Sequence, residues 1–276
     1  MKHSIRGLGI AGWLMLSGAV CAAQPSAPAA GELISVSTRA GVTQSMYLST
    51  STPTPAWVVL LFAGDDGALH LSANGPTTLR GNFLIRTASY WQQKGDAAVL
   101  IDTPSDHANG VDDDFRLSAD ALQDVDAAVG ALRQRFPSSR IALVGTSRGT
   151  VSVGNALQRN PALADAYVMT SPVSIARNGQ PGLSGLSADG TRSHVLVVSN
   201  RSDGCAVALF SGAARIAQEN HFALIAVESN NGGGRRAECT GRSPHGFLGI
   251  EDEVLGDIDG WLGSVGGDAS GQRPSP

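Results

Sequence analysis

A chain of 276 residues, 42 % of them hydrophobic and with a mean hydropathy of +0.00, has the composition of one large globular domain or two small ones. Its net charge of −4, with both signs scattered along the sequence, excludes the clustered basic face of a nucleic-acid binder and leaves a small-molecule partner open.

The chain begins like a targeting segment. Lys2, His3 and Arg6 form a basic start, Leu8 to Val20 is apolar, and Cys21-Ala22-Ala23 offers small residues for cleavage before Gln24. The apolar stretch is short for a membrane span, and Gly18-Ala19-Val20 is a poor approach to a lipidated cysteine. Residues 1–23 therefore read as a signal peptide. The mature chain is expected in the periplasm or secreted, with no stable membrane span after cleavage. Cleavage removes Cys21 and leaves Cys205 and Cys239. An even pair in an exported chain argues for one disulfide, the alternative being two unpaired buried thiols.

Residues 24–31, rich in Pro and Ala, form a loose lead-in to a domain expected over 32–263. Leu33 to Ser51 alternates β-type residues around Ala40-Gly41 and reads as a hairpin. Trp57 to Phe62 is a continuous apolar run, as in a strand buried on both faces of a parallel sheet. Asn82 to Lys94 has helical spacing in Phe83, Leu84, Ala88 and Trp91, and ends at Gly95; Ala97 to Ile101 is the next buried strand. Leu117 to Phe136 is the clearest helix. Ser118 can cap it, Asp120 suits its first turn, Leu122, Val125, Val129, Leu132 and Phe136 share one face, and Pro137 stops it. Strand Ile141 to Val144 precedes a helix over Thr150 to Gln158, closed by Asn160-Pro161. Ala166 to Thr170, Val195 to Ser199 and Phe222 to Glu228 are further strands, and Ile250 to Leu262 is a closing helix. The Gly, Ser and Pro of 264–276 predict a disordered tail. Strands alternating with helices over short links give an α/β domain with a mostly parallel sheet, whose ligand site lies at the carboxyl ends of the strands.

One such end carries Gly145-Thr146-Ser147-Arg148-Gly149. A serine on a sharp strand-to-helix turn has its hydroxyl lifted clear of the sheet, and the helix start offers N–H groups to a developing oxyanion. The flanking glycines leave out Cβ atoms that a strained turn has no room for. The bare pattern is weak, since composition alone yields about 0.4 chance matches in such a chain. Context strengthens it. Val195 to Ser199 runs into Asn200-Arg201-Ser202-Asp203-Gly204, and Ser243-Pro244-His245-Gly246-Phe247 stands just before the last helix. Serine at its ordinary pKa needs an adjacent base oriented by a third group, and Ser147, Asp203 and His245 supply the set in a workable order. Asp203 also has a bland reading, a turn aspartate before Gly204.

Through these three segments the chain resembles the α/β-hydrolase superfamily over almost all of its mature length. The resemblance implies an α/β-hydrolase fold with helices on both faces of the sheet. It also implies Ser147 as nucleophile, His245 as general base and then acid, and Asp203 orienting the imidazole. Its oxyanion hole would be built from the N–H of Arg148 and an N–H just after the Trp57 strand. The family often has His-Gly at that second place, whereas this chain has Ala63-Gly64-Asp65-Asp66-Gly67, so the donor by position is Asp65. A bond between Cys205 and Cys239 would tie the acid loop to the histidine loop.

Other residues read more plainly. Asp165 precedes a strand and Asp189 lies in a glycine-rich loop; His70, His107, His194 and His221 read as surface or packing residues, and no histidine pair has metal spacing. Asp112-Asp113-Asp114 lacks the spacing of a calcium loop and reads as a solvated acidic loop. Asp65, Asp66 and Asp106, from neighbouring strand ends, predict a negative site rim that disfavours strongly anionic substrates. The segment between Thr170 and Val195 is too short for a helical lid domain. The reading is an exported serine hydrolase, without metal or cofactor, that cleaves small carboxylic esters through an acyl-enzyme. An amidase, peptidase or acyltransferase would use the same three residues. A non-catalytic binding protein on the same fold is the rival of a different class, and Ala63-Gly64-Asp65 is its best support.

Overall fold

The computed structural model describes Met1, residues 31–234 and residues 236–268. Residues 2–30, with the expected signal peptide and nearly all of the expected lead-in, residue 235 and residues 269–276 lie outside this set.

Eight strands form one sheet: β1 (Glu32–Ser37), β2 (Thr43–Thr50), β3 (Trp57–Phe62), β4 (Ala97–Ile101), β5 (Arg140–Thr146), β6 (Ala166–Thr170), β7 (Val195–Asn200) and β8 (Ala223–Val227). Their spatial order is β1-β2-β4-β3-β5-β6-β7-β8. β1 pairs antiparallel with β2, and β2 with β4; every other neighbouring pair is parallel. The apolar runs are buried because both faces are covered. Along β3, Val58, Leu60 and Phe62 point to one layer and Trp57, Val59 and Leu61 to the other, as the two-residue period of a strand requires. The first layer is closed by α4 (Ala119–Arg135), α5 (Gly149–Arg159) and α6 (Phe210–Glu219), through Val125, Val129, Leu132, Val153, Leu157 and Ile216. The second is closed by α1 (Phe83–Arg86), α2 (Ser89–Gln93) and α7 (Glu251–Asp268), through Phe83, Leu84, Trp91, Val254, Leu255 and Ile258. Each such side chain taken from water contributes roughly 1.5–3 kcal/mol.

The helices differ in part from the sequence reading, while β8 forms where a strand was expected. The helix expected over Asn82 to Lys94 is two short ones, because Thr87 ends α1, its N–H and hydroxyl both donating to the Phe83 carbonyl. α6 was not expected at all. β8 is an edge strand with Ala223 and Leu224 exposed, so its apolar run is only partly buried. α7 continues to Asp268, past Gly263, where a loose tail was expected. Ser118 caps α4 as expected, accepting from the Ala121 N–H at 3.0 Å. Residues 171–194 contain turns and one isolated bridge but no helix. Among the described residues no helix is long and apolar enough to cross a membrane.

Candidate active site

β5 ends at Thr146 and α5 begins at Gly149, so Ser147 occupies a two-residue turn at the carboxyl edge of the sheet. Its φ is +52°, a left-handed conformation that costs a non-glycine residue on the order of 1–3 kcal/mol. The turn is held by its own hydrogen bonds: the Ser147 N–H donates to Thr170 O (3.0 Å), and the Thr150 hydroxyl donates to Ser147 O (2.6 Å). Both glycines are sterically required. A Cβ on Gly145 would stand 2.5 Å from the Gly149 carbonyl oxygen, and one on Gly149 would fall onto the carbonyl oxygen of Phe62 in the neighbouring strand.

β7 carries Asp203 to the same edge. Its carboxylate is buried and fully used: Oδ2 lies 2.8 Å from Nδ1 of His245, and Oδ1 accepts the Cys205 N–H at 2.9 Å. An ionised carboxylate only accepts, so Nδ1 carries the proton and Nε2 keeps its lone pair. His245 sits in a single 3₁₀ turn, Pro244–Gly246, whose three carbonyls are each pinned. Ser171 Oγ donates to His245 O (2.7 Å), Asn200 Nδ2 to Pro244 O (3.3 Å), and Arg86 Nη2 to Gly246 O (2.6 Å). Arg86 also pairs with Glu251 at 2.8 Å. Burial pushes the Glu251 carboxyl up, but the bonds from Arg86 and from nearby backbone N–H groups outweigh it and hold the group below the usual range. None of these positioning residues was singled out from sequence, because their partners lie up to 165 residues away.

Nε2 of His245 is buried and has no hydrogen-bond partner among the described residues. Ser147 and His245 line one cleft of about 680 Å³, together with Gly64, Asp65 and Arg148. The serine–imidazole bond is not made here; such contacts tighten when substrate is bound. A buried nitrogen without a partner thus shares one cleft with a serine in a strained conformation. Gly64 packs so closely that a Cβ there would lie 2.9 Å from that of Ser147. Asp65 has φ +55° and an exposed side chain, and its carbonyl accepts from Arg116 at 3.2 Å. The N–H groups of Asp65 and Arg148 have no hydrogen-bond partner among the described residues, and both residues line the cleft.

Two sequence expectations about charge are corrected. The rim is not built from three carboxylates. Asp106 is held bidentately by Arg39 at 2.8 and 3.0 Å, and Asp66 accepts the Ala68 N–H at 3.0 Å. Only Asp65 of the three lines the cleft, and Arg148 and Arg242 line it too. Asp112-Asp113-Asp114 is solvated only at Asp112 and Asp114. Asp112 caps the short helix α3 (Asp113–Arg116), and Asp113 is 0 % exposed, ion-paired with Arg148 at 2.6 Å. Sequence periodicity could not show this, since the partner lies 35 residues on.

Cys205 and Cys239 are bonded, and both line the cleft beside the acid and histidine loops. The competing residues have structural roles. Asp165 accepts the Ile141 N–H, Asp189 closes a turn onto Thr191, His70 contacts Ala108 O, and His107 packs on Phe115 with ring centres 4.0 Å apart. Among the described residues no group of three His, Cys, Asp or Glu is placed to hold a metal ion.

No known family profile matches the chain, and no curated protein resembles it in sequence. Solved structures resemble it in fold. An α/β serine hydrolase without lid from Xanthomonas campestris matches at TM-score 0.56 with 12 % identity, over 85 % of this chain and 98 % of that one. An esterase of Pyrococcus furiosus matches at 0.60 with 12 % identity, over 86 % and 93 %. Esterase 2 of Thermogutta terrifontis, phosphoramylated by tabun, matches at 0.57 with 16 % identity, over 86 % and 95 %. With its eight-stranded, mostly parallel sheet, the chain has the α/β-hydrolase fold. Within that class, these three similar structures are serine hydrolases and esterases.

Proposed function

We propose that the protein is an exported serine hydrolase that cleaves carboxylic esters through an acyl-enzyme. The observation that carries this reading is the buried Asp203–His245 pair at 2.8 Å, its free Nε2 facing no other partner, in one cleft with a serine held at φ +52°. In the first step Nε2 of His245 takes the Ser147 hydroxyl proton as Oγ adds to the ester carbonyl. Asp203 stabilises the imidazolium without taking the proton. The N–H groups of Arg148 and Asp65 receive the oxyanion. His245 then gives its proton to the leaving alkoxide, and a water activated by the same nitrogen hydrolyses the acyl-serine. Export fits the disulfide, which persists in an oxidising compartment.

The test is covalent labelling. An activated organophosphonate reacts only with a serine whose base is in place, so the wild-type protein should gain one adduct on the peptide holding Ser147. Ser147→Ala should gain none, keep its circular dichroism spectrum, and retain less than a tenth of the rate on short p-nitrophenyl esters. An unlabelled, inactive wild-type protein would favour a binding role on this fold.

A further inference from the structure

The side chain beside the nucleophile is held as a rigid fork with one edge open. Nη1 of Arg148 donates to Asp113 Oδ1 at 2.6 Å and to Gln180 Oε1 at 3.0 Å. These two acceptors are themselves fixed. Asp113 is fully buried, its Oδ2 accepting the Gly182 N–H at 2.9 Å, and Gln180 Oε1 also accepts the Asp113 N–H at 2.9 Å. Nε and Nη2 of Arg148 have no hydrogen-bond partner among the described residues and are not buried; the side chain is 30 % exposed in the wall of the cleft. A guanidinium with one nitrogen anchored and an open edge matches the two oxygens of a carboxylate and loses little freedom on binding it.

Local charge does not cancel this cation. Asp113 faces two guanidiniums, since the buried Arg116 lies close enough to feel its charge. Burial pulls Arg116 down to about 10, with Arg148 adding to the fall and Asp113, Asp66 and Asp65 opposing it. Asp65 and Asp66 are exposed and screened by water, and only Asp65 lines the cleft. Among the described residues, the wall itself carries two arginines, Arg148 and Arg242, against that single carboxylate.

We propose that Arg148 is a specificity-determining residue whose open Nε–Nη2 edge binds a carboxylate of the substrate, so that the preferred esters carry an anionic group within reach of the scissile bond. This rests on the hydrolase reading and narrows its substrate class. If Arg148 merely braced residues 180–182 against α3, its open edge would have no effect on substrate choice.

Two ester pairs test it, each an anionic compound against a neutral one of similar shape. Mono-4-nitrophenyl glutarate against 4-nitrophenyl valerate places the charge on the acyl side, and 4-acetoxybenzoate against phenyl acetate places it on the leaving group. The quantity read is the ratio of kcat/KM, anionic over neutral, in wild type and in Arg148→Gln combined with Asp113→Asn, which leaves no buried carboxylate unpaired. Arg148→Lys, which keeps the charge but not the fork, serves as a second variant should the double variant fail to fold. In at least one pair the wild-type ratio should exceed ten, and each variant should lower it tenfold or more. An unchanged ratio overturns the proposal while the hydrolase reading stands. Binding of glutarate to Ser147→Ala, measured by calorimetry with and without the Arg148 change, is independent of turnover. Arg148-dependent binding without any hydrolysis by the wild type would leave the anion site standing and remove the hydrolase reading. Binding that is absent or independent of Arg148, together with an unchanged ratio, removes the anion site.

Discussion

Replacing both bonded cysteines, Cys205→Ala with Cys239→Ala, should destabilise the protein and disarm the site together. The bond closes a loop with a sequence separation of 34. In the chain-entropy treatment, freeing a loop of that size returns about 4 kcal/mol of conformational entropy to the unfolded chain. For a domain of this size each kcal/mol moves the midpoint by about 2–4 °C, so thermal unfolding should fall by about 8–15 °C. The chemical effect comes through the backbone. The Cys205 N–H holds Asp203 Oδ1 at 2.9 Å, and the other oxygen of that carboxylate orients His245. A loosened Cys205 lets the carboxylate turn, and ester hydrolysis should drop even well below the unfolding midpoint. Circular dichroism melting and rates on a p-nitrophenyl ester, compared between wild type and double variant, measure the two effects. A midpoint shift under 2 °C with full activity would refute the reasoning, as would two free thiols on mass mapping of the unreduced protein.

Asp203→Asn should lower turnover on the order of 10⁴-fold, because an amide no longer enforces a protonated Nδ1 and an accepting Nε2. A loss below tenfold would mean that another carboxylate orients the imidazole. Asp96→Asn should be neutral to stabilising near neutral pH. Burial raises the Asp96 carboxyl, with Asp259 adding to the rise and the bond from the Trp57 N–H opposing it. A carboxyl raised on folding contributes stability below its unfolded pKa and loses it as pH rises through the folded one. The advantage of Asn, which keeps the acceptor for Trp57, should therefore be present at neutral pH and vanish in acid. Urea unfolding at several pH values measures this, and a gap independent of pH would contradict it.

Much of the fold is written locally. The runs Trp57–Phe62, Ala97–Ile101 and Val195–Ser199 are apolar without alternation because both their faces are covered, and Ser118 with Pro137 brackets a helix by chemistry confined to a few neighbours. The serine turn is of this kind only in part: Gly145 answers to the Gly149 backbone beside it, whereas Gly149 answers to the Phe62 carbonyl of the neighbouring strand. The order of Ser147, Asp203 and His245 along the chain, the first two just after strands and the third just before the last helix, made a shared site legible before any geometry was known. α6 went unread although Ala213, Ile216 and Ala217 have helical spacing.

The charges could not be read in this way. Asp106, Asp66 and Asp113 look alike in sequence. Folding gives the first to Arg39 and the second to a turn N–H, and buries the third against Arg148. The clamp of Arg86 on the histidine turn spans 160 residues. Apolar periodicity reports an element's own exposure, which neighbouring residues encode, whereas the partner of a charged group depends on which distant loops the sheet order brings together. The sequence by itself thus determined most of the elements and the candidate site residues. The tertiary structure alone decided the polarity of the cleft around them, because a charge acts through whatever distant group folding sets beside it.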